Sequence, residues 1–294
     1  MTTLHLPLAA IHRVILALPE GGIVFLAQTL ALLLSRGVGN RRRVMLENLR
    51  TVFGDELSAA QQEEILYQSW KNLLLTGFET LRFPKHGQRY LAELKTNHFE
   101  ILEASMREGR GMILLAPHSG NFFLGASFLA QSFPVSVLIR PSRDRAFQAM
   151  MQRSYASMGF ETIDRVGGMR HAVRALRQGR MLVIAFDQHG GGSGLWVPFF
   201  GRPASTYTTP AALALKYGAP VHIGHLHRYP DGRNEAWGIP AFELIRTGDP
   251  QEDIFLNTLQ FNKKFEELIR QRPQTWMWMH KRWKEPPADI SPSA

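Results

Sequence analysis

Gly111-Met-Ile-Leu-Leu-Ala-Pro-His-Ser-Gly-Asn121 is a short apolar run that stops abruptly at turn residues. That is the pattern of a buried strand. Met112 to Ala116 carry no charge, and Pro117, with no N–H for a ladder, closes the strand. His118 then stands at the strand's carboxyl end, followed by Ser119, Gly120, Asn121 and a new apolar segment from Phe122 to Phe133. In an open α/β sheet, ligands bind at that edge. Histidine is the side chain that exchanges a proton near neutral pH. Position alone leaves two readings: a histidine that caps the turn, and one that performs chemistry.

Outward from this stretch, short apolar runs at 135–139, 160–163, 181–186, 220–226 and 236–245 alternate with helical patterns at 144–158, 167–178, 209–217 and 253–272. Such alternation with short links predicts an α/β fold with a mainly parallel sheet covered by helices. Upstream, 41–53 reads as an amphipathic helix. Ser58-Ala-Ala-Gln61 is a capping box opening a long helix that Pro84 is expected to stop. A further helix is expected between Asn97 and Gly109, and Thr209-Pro210 supplies an N-cap and an N1 proline.

The 294 residues suffice for one large domain or two small ones, and 45% hydrophobic with 20% charged residues are globular values. The absence of cysteine excludes disulfides, thiol nucleophiles and cysteine-ligated zinc. A net charge of +9, clustered at Arg41–Arg43, Arg140–Arg145, Arg170–Arg180 and Lys281–Lys284, suits an anionic partner. Nucleic acid, anionic lipid headgroups and an acidic carrier protein all qualify.

The segments 4–18 and 23–34 are mostly apolar, but neither reaches the roughly 20 residues of a spanning helix. No basic stretch precedes the first, which argues against a secretory signal. Two such helices form an anchor in one leaflet or are buried in a core. Arg36 and Arg41-Arg-Arg43 come directly after them. A basic cluster beside an apolar segment binds an anionic cytoplasmic leaflet at about 1 kcal/mol per charge and keeps the downstream chain cytoplasmic. The expected division is an apolar, membrane-associated helical segment at 1–38 and an α/β domain at 39–294.

His118, Arg140 and Asp187 each follow an apolar strand, so a parallel sheet would gather a base, a cation and a carboxylate on one edge. Rival constellations are weaker. His225 and His227 share a strand face near His222, without an evident carboxylate or fourth metal ligand. Gly190-Gly-Gly-Ser-Gly194 lacks the lysine of a P-loop and reads as a flexible loop beside the site. Ser119 lies in no Gly-x-Ser-x-Gly elbow. Trp276, Trp278 and Trp283 alternate with basic residues; a membrane-interface belt or ordinary packing is preferred to nucleic-acid stacking, and no nucleic-acid partner is expected.

His118-Ser-Gly-Asn-Phe-Phe123 resembles the His-x-x-x-x-Asp/Glu motif of the glycerolipid and lysophospholipid acyltransferases, more narrowly the form found in the bacterial lipid A late acyltransferases. Arg41-Arg-Arg-Val-Met-Leu-Glu-Asn-Leu49, Ile163-Asp-Arg165, Asp187-Gln188, Val197-Pro-Phe-Phe-Gly201 and Trp278-Met-His-Lys-Arg-Trp-Lys284 resemble further pieces of that family, in order. The resemblance implies a glycerolipid acyltransferase-like fold and an O-acyltransferase at the cytoplasmic face of an inner membrane. Its donor would be acyl carrier protein or acyl-CoA, and its acceptor a hydroxyl of a lipid A-type glycolipid. No cofactor is implied. His118 would be the general base, worth roughly 10²- to 10⁴-fold. Asp187 would support it, with Asn121, Arg140, Arg165 and Gln188 on the substrates.

The chain departs from the pattern at the acidic position, which is Phe123. The arginine the family places before a helix-ending glycine has Arg153, six residues before Gly159, as its nearest counterpart. The missing acid leaves three readings: another carboxylate, Asp187 foremost, supports His118; the enzyme acts on a more activated donor or acceptor; or the site binds lipid without transfer. A transferase with a different lipid acceptor is a separate alternative.

Overall fold

A computed structural model describes residues 5–37, 39–165 and 167–285. In chain order the helices and strands are α1 (His5–Ala17), α2 (Glu20–Arg36), α3 (Asn40–Phe53), α4 (Ala59–Glu93), β1 (Lys95–Asn97), α5 (Phe99–Arg107), β2 (Met112–Ala116), α6 (Phe122–Leu129), β3 (Val135–Ile139), α7 (Arg145–Ser157), β4 (Glu161–Asp164), α8 (Met169–Arg177), β5 (Met181–Ala185), β6 (Leu195–Phe199), β7 (Arg202–Thr206), α9 (Thr209–Tyr217), β8 (Val221–Arg228), β9 (Asn234–Ile239) and α10 (Pro250–Gln271).

Seven strands form one sheet in the order β1-β9-β8-β2-β5-β3-β4. From β8 to β4 all neighbours are parallel, whereas β9 runs antiparallel to β8 and carries β1 with it. The mainly parallel α/β architecture is therefore present. Strand β2 sits centrally with every residue buried. Its side chains alternate, as a strand's must. Ile113 and Leu115 enter a core shared with α3, α8, α9 and α10, while Met112, Leu114 and Ala116 enter a second core with α5, α6 and α7.

Several expectations are corrected. Helix α4 does not stop at Pro84 but continues to Glu93 with that proline inside it. The proline removes one backbone hydrogen bond, yet Phe83, Tyr90 and Leu91 around and beyond the break fill the second core, and their burial carries the helix on. The segment 236–245 is a strand only to Ile239, because it leaves the sheet there. Thr208, not Thr209, is the N-cap of α9, and its side chain makes no capping bond. The apolar piece after Gly194 pairs with 202–206 as a separate β6–β7 hairpin. The glycine-rich segment is fastened to that hairpin rather than loose: Gly190 N–H donates to Ser205 O at 2.8 Å, and Ser205 Oγ donates to Gly191 O at 2.8 Å. The Ser58–Gln61 capping box is present.

Among the described residues no single helix is long and apolar enough to cross a membrane. Helix α2 buries Ile23, Ala27 and Ala31, two of them in a cluster with Leu75 and Leu81 of α4. Its other face is apolar and bare, with Phe25 69% and Leu33 65% exposed.

Candidate active site

Register brings the site together. Ala116 at the end of β2 lies opposite Ala185 at the end of β5. His118 and Asp187 each stand two residues later, so both emerge at one level. On the far side of β5, Ile139 of β3 pairs with Asp164 of β4. Arg140 and Arg165 come next, and Arg165 N–H donates to Ile139 O at 2.8 Å. Four neighbouring strands thus deliver a histidine, a carboxylate and two arginines to the edge where α/β sheets bind ligands.

The turn after β2 needs its glycine. Gly120 has φ +58°, and a Cβ there would stand 2.4 Å from Leu226 O of β8. Asn121 then caps α6: its side chain accepts from Leu124 N–H at 3.3 Å and donates to Glu79 Oε2 at 2.9 Å. Glu79 also takes both ends of the Arg228 guanidinium at 2.6 Å, with both side chains buried. Asn121, expected to hold the turn and to be among the substrate-binding residues, does hold the turn and is only 1% exposed.

Asp187 engages His118 twice. Its Oδ1 lies 2.5 Å from His118 Nδ1, and its Oδ2 accepts the His118 backbone N–H at 2.8 Å. The same Oδ2 accepts from the Trp276 indole at 2.7 Å. Burial by itself would push this carboxyl up, but the charge and hydrogen bonds of His118, with the Trp276 indole, outweigh it and hold Asp187 below its ordinary value. An ionised Asp187 fixes the ring tautomer: Nδ1 carries the proton and donates, leaving Nε2 to accept one. The ring lines a cavity of about 280 Å³, which Arg140, Arg165 and Gln188 also line. Arg165 stacks over the Tyr207 ring at 4.5 Å, and neither arginine enters an ion pair among the described residues.

Phe123, at the family's acidic position, lines the same cavity and stacks against Phe122, Tyr155 and Phe160, with centroids 4.2, 5.1 and 6.2 Å away. Leu73, Leu138 and Ile184 extend this apolar wall. The polar end beside His118 and the apolar body beyond it suit a ligand with a reactive head and a hydrocarbon tail. Arg153 is exposed on α7.

The aromatic-basic alternation of the C-terminal strap suggests only packing or an interface belt. Trp276 and Trp278 are buried, at 2% and 0% exposure, so they form no belt. Trp276 bridges to Ser119, and Met277 N–H donates to His118 O at 3.1 Å. Asn48 of α3 donates to Trp278 O and His280 O at 2.7 and 2.8 Å. Arg282, fully buried, donates to Ser205 O and Thr206 Oγ1 and lies over Phe199; burial pulls it down to about 10. The strap thus braces the active-site turn, a role whose sole signal in the sequence is the density of that alternation.

The three strand histidines have separate surroundings. His222 donates from Nδ1 to Ile239 O and accepts from Ser105 on Nε2. His225 and His227 meet edge to face with centroids 4.6 Å apart, and burial drives them down to about 3 and about 4, so both are neutral.

The chain is similar to several characterised proteins. A phosphatidylinositol mannoside acyltransferase of Mycolicibacterium smegmatis is 25% identical over 70% of this chain and 67% of the relative. The lipid A biosynthesis lauroyltransferase of Escherichia coli is 23% identical over 94% of this chain and 90% of the relative. A lipid A biosynthesis acyltransferase of Haemophilus influenzae is 23% identical over 97% and 91%. The family model described as bacterial lipid A biosynthesis acyltransferase matches residues 4–285, nearly the whole chain. This acyltransferase belongs to the bacterial lipid A biosynthesis acyltransferase family.

Proposed function

We propose that the protein moves a fatty acyl chain from a carrier thioester, on acyl carrier protein or coenzyme A, to a hydroxyl of a lipid A-type glycolipid. The observation that carries this reading is the Asp187 carboxylate 2.5 Å from His118 Nδ1. It supplies from β5 what the family pattern draws from the position of Phe123. His118 Nε2 takes the hydroxyl proton as the oxygen attacks the thioester carbonyl. Asp187 stabilises the imidazolium that forms. As the tetrahedral intermediate collapses, the C–S bond breaks and the leaving sulfur receives that proton. Burial of Asp187 keeps water from competing for the ring. Arg140 and Arg165 offer positive charge to the anionic parts of the substrates, Gln188 a side-chain amide, and the Phe123 wall receives the chain.

The exposed apolar face of α2, leading into the basic start of α3, supports docking on the cytoplasmic surface of an anionic membrane. No cofactor enters the reaction. The test is transfer of a radiolabelled acyl group from acyl carrier protein or coenzyme A to a lipid A precursor. Activity that vanishes in His118→Ala is the expected result; wild-type protein that binds lipid but transfers from no donor contradicts the reading.

A second acceptor class has an observation in its favour, since relatives of comparable identity include phosphatidylinositol mannoside acyltransferases. Mass spectrometry of lipids from a deletion strain separates the two: loss of one acyl chain from lipid A supports the first, and from another membrane lipid the second.

A further inference from the structure

Behind the strap segment that walls the catalytic cavity lies a second cavity of about 340 Å³. Asn72 and Thr275 line both, so the two cavities adjoin. Lys71 and Arg272 line the second cavity, and neither has an ion-pair partner among the described residues. Arg272 is spread over the Tyr229 ring, 5.3 Å from its centroid. Burial, then Arg228, lowers Lys71, and the exposed Glu64 only partly offsets them.

Two further groups of the lining are unsatisfied. Arg228 gives both terminal nitrogens to Glu79, but its Nε has no partner among the described residues. His227 is 8% exposed, and its Nδ1 has none either. Glu64 is the one carboxylate of the lining among the described residues; it is exposed, and it accepts from Gln68. With Arg228 offset by Glu79 and one further cation by Glu64, a positive charge remains beside an arginine N–H that lacks an acceptor and a histidine nitrogen that lacks a partner. Such groups are costly to leave unpaired. A tetrahedral oxyanion between Lys71 and Arg272 supplies the missing charge and lone pairs.

We infer that this second cavity binds a phosphate monoester borne by the acceptor lipid, and so seats the acceptor while its hydroxyl reaches His118 through the neighbouring cavity. This rests on the proposed reading of the protein as a lipid acyltransferase, and adds that its acceptor carries a phosphate.

The probe is glycerol 3-phosphate, titrated by calorimetry into the full-length protein in detergent. Lys71→Gln with Arg272→Gln is expected to weaken binding roughly tenfold or more. His118→Ala should bind as tightly as the wild type. In wild-type protein, NMR of the imidazole nitrogens should show the His227 ring shifting with phosphate ester, a readout that does not depend on the variants folding. Equal binding by the double variant, or a His227 ring that ignores the ester, overturns the inference. In transfer assays, inhibition by the ester that is competitive with the acceptor supports it. Inhibition competitive only with the donor assigns the phosphate to the carrier arm and overturns the acceptor assignment. If binding tracks Lys71 and Arg272 while no donor gives transfer, the enzymatic reading fails and the anion site stands.

Discussion

Asp187 holds His118 by ring and backbone together, accepting Nδ1–H on one oxygen and the main-chain N–H on the other, at 2.5 and 2.8 Å. A carboxylate five residues along the same turn would have to reach back to the ring. One from the adjacent parallel strand meets it at matching height, because Ala116 and Ala185 are in register.

Trp276 completes this arrangement from a distant part of the chain. Trp276→Phe keeps the aromatic packing and deletes the indole N–H that Asp187 Oδ2 accepts. Loss of a bond to the charged form raises the carboxyl pKa. The expected outcome is a kcat lower by roughly tenfold and an acid limb of the pH–kcat profile displaced to higher pH, with little change in KM. An unshifted profile contradicts this positioning role.

Phe123 closes one side of the cavity beside His118 against Tyr155 and Phe160. Phe123→Ala should deepen the apolar slot and move selectivity toward longer acyl chains, at a stability cost of about 3 kcal/mol. A competition assay with donors of mixed chain length reads this directly. An unchanged product distribution would mean the chain lies elsewhere.

Buried His225 and His227 make stability depend on mildly acidic pH. Desolvation lowers both, with His227 and Lys264 adding to the effect at His225 and Arg272 at His227. The unfolded chain takes up these protons as pH falls through about 6.5; the folded protein resists until about 4 and about 3. Their contribution is therefore complete above about pH 6.5 and is lost as pH falls below it, by at most roughly 1.4 kcal/mol per pH unit for each histidine. Asp187, held low, still favours the folded state throughout this window. Denaturant unfolding at pH 7 and pH 5 should show the loss, and His227→Gln should reduce it. Equal stability at the two pH values would mean that the two rings are not held neutral.

The exposed apolar face of α2 is the proposed membrane contact to probe. Deleting 1–38 outright would also strip Ile23 and Ala27 from a core. Phe25→Asp with Leu33→Asp alters exposed positions alone. The double variant is expected to move from the membrane pellet to the supernatant after cell fractionation, with its Tm unchanged. Continued sedimentation with membranes would refute the contact.

The range of each interaction decides how far it was legible in the sequence. The β2 strand and its turn could be read because an apolar run ends in Pro117 and a histidine. Arg140 and Asp187 could be placed near His118 because parallel strands share a carboxyl edge, whereas Arg165 is indicated only by the family resemblance. The Glu79–Asn121–Arg228 network could not, since its members lie 42 and 149 positions apart with no spacing rule to join them. Helix α4 runs past Pro84 because tertiary burial outweighs a local breaker. The hold of Trp276 on Asp187 spans 89 positions and depends on where the strap docks, which no local pattern encodes. Asn121 was recognisable as a turn residue, but its burial against Glu79 arises only once α4 crosses behind α6.

The central claim is that Asp187 does the work of the acid that Phe123 replaces. The most direct measurement is the kcat of Asp187→Asn, which keeps the shape and the backbone contact but removes the charge. The expected result is a fall of roughly 10⁴-fold, as for the orienting aspartate of a serine triad, with the fold and the lipid affinity retained. A variant that folds and turns over within a few-fold of the wild type would contradict the claim.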